Sequence, residues 1–78
     1  MVKELYLVYA EHLGRYIFYE SAKGHNRREI SKENLIGQVG SLIDAKRNSV
    51  LYLSGISKEV RESLERKLNG TKVEVQVK

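Results

Sequence analysis

The chain contains no cysteine, no proline and no tryptophan. Without cysteine there are no disulfides and no thiolate metal ligands, so the redox compartment leaves no trace. A zinc site would need carboxylates beside the two histidines, His12 and His25, which are far apart in sequence and form no i, i+4 pair. The lack of proline, with an ordinary apolar content, argues against a disordered linker or low-complexity tail. No apolar run approaches the roughly 20 residues of a membrane-spanning helix. The segment Met1 to Glu4 also lacks the charged-then-apolar order of a signal peptide. These absences lead to the expectation of a soluble cytoplasmic protein with no metal and no cofactor.

Enzyme signatures are missing as well. There is no nucleophile elbow, no HExxH, no Cys/His pair and no paired acidic motif. A phosphate-cradling loop needs Gly-x-x-x-x-Gly-Lys-Ser/Thr after a strand, and none is present.

What the chain does have is charge. Fourteen Lys and Arg against ten Asp and Glu give a net charge of +4 over 78 residues, a modest excess that favours polyanionic partners. Abundant Lys, Glu and Arg with few Gln is also the pattern of proteins from hot environments. The length implies one domain, 1–78, close to the lower size at which a chain buries enough surface to fold unaided.

Leu5 to Ala10 is apolar and aromatic throughout. Glu11-His12-Leu13-Gly14 follows, and then Arg15-Tyr16-Ile17-Phe18-Tyr19-Glu20. Two such runs around a short glycine-containing link predict a β-hairpin. The competing reading, a helix over 11–22, would gather Leu13, Tyr16 and Ile17 but send Phe18 and Tyr19 elsewhere. Ser21 to Ile30 has no periodicity and predicts a loop, the most basic part of the chain.

Ser31 then suits an N-cap, with a helix to about Arg47 carrying the stripe Leu35, Ile36, Val39, Leu42 and Ile43. Gly37 and Gly40 inside it each cost about 1 kcal/mol relative to alanine, which points to close approach by another backbone. Lys46 and Arg47 fall where cations favour a helix C-terminus. Val50 to Ser54 predicts a strand. Ser57 caps a second helix with the stripe Val60, Leu64 and Leu68, and Glu62 with Arg66 is spaced for an i, i+4 pair. Asn69-Gly70 ends it, and the strict alternation of Thr71 to Val77 predicts a strand with one wet face. The similar segments Leu5-Tyr6-Leu7 and Leu51-Tyr52-Leu53 are followed by different sequences and make no repeat.

The expected architecture is an α+β two-layer sandwich in the order β-β-α-β-α-β, with an N-terminal hairpin, a four-stranded mixed sheet and both helices on one face. With Leu5, Leu7, Phe18, Leu51, Leu53, Val73, Val75 and Val77 toward the helices, the other face carries Tyr6, Val8, Ile17, Tyr19, Val50 and Tyr52. Tyr9 and Tyr16 fall on the helix side.

An uncovered, tyrosine-rich face beside a basic segment suggests a small, non-enzymatic nucleic-acid-binding protein. Lys23, His25, Arg27, Arg28, Lys46 and Arg47 would meet DNA or RNA phosphates, and Tyr6, Tyr19 and Tyr52 would be interface or stacking groups. The alternative is a homodimeric interaction or assembly module closed through the tyrosine face. A third reading is a metal-independent ribonuclease, with His25 as base, His12 as its partner and Arg27 or Arg28 stabilising phosphate charge.

Overall fold

The computed structural model describes residues 2–21 and 23–78. Its elements are strand β1 (Lys3–Ala10), β2 (Arg15–Glu20), β3 (His25–Ile30), a 3₁₀ turn (Lys32–Asn34), helix α1 (Leu35–Leu42), β4 (Ser49–Ser54), α2 (Lys58–Leu68) and β5 (Val73–Val77). The sheet is five-stranded and mixed, in the order β3-β2-β1-β4-β5.

Residues 11–14 are a turn, not the start of a helix. Leu13 N–H donates to the Ala10 carbonyl at 3.0 Å and Gly14 N–H to that of Glu11 at 3.2 Å. Gly14 sits at φ 63°, a conformation that glycine adopts without a Cβ penalty. The turn closes Ala10 on Arg15 and places Tyr6 opposite Tyr19 and Leu7 opposite Phe18 in an antiparallel pair.

The basic segment expected as a loop is largely strand. Ser21 and Gly24 take positive φ, and Gly24 N–H donates to the Ser21 carbonyl at 3.1 Å, so the chain reverses again. β3 then pairs antiparallel with β2, Ile30 opposite Tyr16 and Arg28 opposite Phe18, with a register shift between Phe18 and Glu20. Asn26 occupies the left-handed region at this irregularity, φ 54°, a conformation its short amide tolerates better than most side chains.

The extra strand corrects the expected topology. Two successive reversals leave β3 running in the direction of β1, so α1 carries the chain over β2 and β1 to β4, which pairs parallel with β1. α2 then crosses to β5, parallel to β4.

α1 is shorter than its apolar stripe suggested. Ser31 makes no cap bond to a backbone amide, and its hydroxyl instead accepts from the Asn34 side chain at 3.1 Å. The helix stops at Leu42 because Ile43 turns extended and the Asp44 carboxylate accepts from Lys46 N–H at 3.0 Å, building a side-chain turn in place of another helical turn. Lys46 and Arg47 therefore lie in the α1–β4 loop. At Gly40 the close neighbour is a side chain, not a backbone: an added Cβ would meet Lys67 Cε at 2.7 Å, so the alkyl stem of this α2 lysine fills the space. Nothing stands within 4 Å of a Cβ at Gly37. On α2 the Ser57 hydroxyl does cap, accepting from Val60 N–H at 3.3 Å, while the i, i+4 pair that forms is Arg61 with Glu65 rather than Glu62 with Arg66.

Leu5 and Leu7 of β1, Tyr16 and Phe18 of β2, Ile30 of β3, Leu51 and Leu53 of β4 and Val73 of β5 share one sheet face by alternation. They form a single buried cluster with Leu35 and Val39 of α1, Ile43 beyond it, and Leu64 and Leu68 of α2. The opposite face is where the other half of every strand points.

Candidate nucleic-acid interface

Three tyrosines stand in register across the middle of that opposite face. Tyr19 of β2 and Tyr52 of β4 are the direct cross-strand partners of Tyr6 on β1. The Tyr6 and Tyr19 rings stack at 5.0 Å between centroids with 4° between planes, and Tyr6 and Tyr52 at 5.2 Å with 28°. Both faces of Tyr6 are thus occupied, and the residue is only 7% exposed although no helix lies over it. Burial raises its phenol pKa above the ordinary value, and the charge of Glu4 and the two neighbouring phenols add to this. Ile17 is buried on the same face, and Val8, Tyr19, Val50 and Tyr52 are half-buried. The large apolar side chains exposed among the described residues, Val2, Leu13 and Val77, lie outside this group.

Beyond Tyr19 the face opens into a depression of about 440 Å³ lined by Val8, Ile17, Tyr19, Lys23, Gly24 and Arg27. Val8 and Ile17 are cross-strand partners and form its apolar floor. Lys23 and Gly24 come from the β2–β3 turn and Arg27 from β3. Lys23, Arg27 and Arg28 are exposed, and none forms an ion pair with a described residue. Glu29, the acid nearest to Arg27 and Arg28 in sequence, lies 4.0 Å from Arg15 instead.

The remaining cations separate by position. Arg28 faces the helix side of the edge strand, opposite Phe18. Lys46 and Arg47 are exposed at the end of the sheet where β1 and β4 begin, the end to which the β2–β3 turn also belongs. Glu20 is engaged there. It pairs with Lys3 at 2.5 Å and accepts from the Asn26 amide, which holds its carboxyl below the usual range, with the charge of Arg47 contributing. His25 opens β3, but its side chain lies outside the described residues. His12 is in the β1–β2 turn, at the other end of β2, so about 17 Å of strand separates it from His25 at 3.4 Å per residue. The fold does not bring the two histidines together.

Lys78 is a site residue that sequence reasoning missed. Its ammonium lies 4.9 Å from the Tyr6 ring centroid and 5.3 Å from that of Tyr52, within cation–π range of both. The signal was present, since Lys78 continues the Glu74, Gln76 alternation of β5. On the helix side Lys32 stands 5.2 Å from the centroid of the Tyr9 ring. Interaction with the Tyr9 phenol raises the lysine pKa, helped by that group's charge.

No group of three or more acidic or histidine side chains that could hold a metal is found among the described residues, and none of their helices is long and apolar enough to cross a membrane. No protein-family model matches the chain, and no curated protein or solved structure is significantly similar to it.

Proposed function

We propose that the protein binds nucleic acid without catalysis, holding the phosphate backbone with Lys23 and Arg27 and continuing along the sheet end to Lys46 and Arg47. The observation that carries this reading is the pair of cations, free of ion pairs with described residues, at the rim of the depression beside Tyr19. A cation without a carboxylate partner keeps its charge available for phosphate, and Gly24 leaves the backbone accessible beside it.

Binding of labelled single-stranded and duplex oligonucleotides, followed by fluorescence anisotropy at low and moderate salt, tests the proposal. Affinity is expected to fall steeply with salt, the logarithmic slope being about −0.7 per neutralised phosphate on a single strand. Absence of binding at low salt removes the reading, and binding insensitive to salt removes the phosphate mechanism.

A homodimer closed through the tyrosine face draws less support, because that face already buries its central ring within one chain. Light scattering on the wild type and Tyr52→Asp separates the two: a dimer that the substitution dissociates would favour the assembly module.

A further inference from the structure

Tyr19 ends the tyrosine stack. One ring face is taken by Tyr6, and the other is turned away from β1 toward β3, the side from which Lys23, Gly24 and Arg27 line the depression. We infer that this depression is a subsite for one unstacked nucleobase of a single strand, resting on the outer face of Tyr19 beside Ile17, with the adjoining phosphates at Lys23 and Arg27.

This deepens the nucleic-acid reading and rests on it. The site's chemistry is that of a nucleotide: an aromatic wall, an apolar floor and two cations at the rim. Its volume falls within the roughly 300–1,000 Å³ of small-molecule pockets. A paired duplex offers no free base to such a place, whereas a single strand can splay one out. Gly24 matters because no atom stands within 4 Å of the Cβ it lacks, which leaves the rim low on the side where a sugar-phosphate would pass. The number of bases follows from the stack. Tyr6 has no free face, and the Lys78 ammonium lies over the Tyr52 ring at 5.3 Å, so the face offers one base position rather than a row.

The test compares wild-type binding of a short oligothymidylate with that of a fully abasic strand of the same phosphate number, at one salt concentration. Stacking of one base predicts a loss of about 5- to 150-fold for the abasic strand. Tyr19→Ala should weaken oligothymidylate binding to the abasic level, while Tyr19→Phe retains it. Equal affinity for the two strands overturns the base subsite and leaves phosphate binding standing. Failure of both to bind at low salt overturns the nucleic-acid reading and the subsite with it. Should Tyr19→Ala fail to fold, the abasic comparison on the wild type decides alone.

Discussion

The Tyr6 and Tyr19 rings lie face to face across β1 and β2, 5.0 Å apart and within 4° of parallel, because the hairpin register sets the two residues directly opposite. With Tyr52 on the other flank, the stack seals the middle of a sheet face that no helix covers. A small chain thereby removes more apolar surface from water than its two-helix layer could hide.

Truncating the middle ring should be the most damaging single change on this face. Tyr6→Ala is expected to cost about 3–5 kcal/mol, the range for deleting a buried aromatic side chain, whereas Tyr6→Phe keeps the stack and should cost far less. Urea denaturation followed by far-UV circular dichroism measures both. The raised phenol pKa adds a pH signature in the wild type. Between the ordinary tyrosine value of 10.0 and the raised folded value, the unfolded chain loses a proton that the folded one keeps, so stability declines as pH rises through that window.

Glu20 predicts the behaviour in acid. Its carboxyl is held below the ordinary 4.5 by Lys3 first and Asn26 second. As pH falls below 4.5 the unfolded chain takes up a proton that the folded protein excludes, and the contribution of this pair is lost as pH passes the folded value. Glu20→Gln should flatten that part of the stability curve. The change is expected to be at most about 1 kcal/mol, since the pair is partly exposed to solvent.

The three arginine and lysine positions around β3 should separate in binding. Lys23→Ala and Arg27→Ala are each expected to weaken single-strand binding and to reduce the salt slope by about 0.7. Arg28→Ala, on the opposite side of the strand, should leave both unchanged. Anisotropy titrations at several salt concentrations give the slopes.

Gly24→Ala tests the turn. The new Cβ would meet no atom within 4 Å, but φ is +77°, so the cost is backbone strain alone, about 1–2 kcal/mol. Gly24→Asn should cost less, because asparagine enters the left-handed region more readily. A comparison of urea midpoints ranks the two.

Much of this arrangement was legible from period alone. Leu5-Tyr6-Leu7 and Leu51-Tyr52-Leu53 alternate, which places leucines under the helices and tyrosines opposite, and the stripes of α1 and α2 name the side chains that meet them. β3 was not legible. His25–Ile30 is an edge strand whose only apolar residue is Ile30, and a ribbon wet on most sides writes no alternation into its sequence. Without that strand the first crossover is not legible either, since its reversal decides which neighbour β4 joins. Likewise the end of α1 was set by the turn that the Asp44 carboxylate makes with Lys46 N–H, a local hydrogen bond that hydrophobic spacing does not reveal. The depression at Tyr19 depended on both, because Lys23, Gly24 and Arg27 reach the tyrosine face only if the basic segment turns and pairs.

The central position of β1 has a consequence for how the chain assembles. Its partners on one side, β2 and then β3, come next in sequence, and a three-stranded meander can close through local contacts. On the other side Lys3 waits for Ser49, and such distant parallel pairings form late. During synthesis, Lys3 to Val8 therefore holds an open hydrogen-bonding edge until β4 is made, and an unpaired edge of this kind invites aggregation.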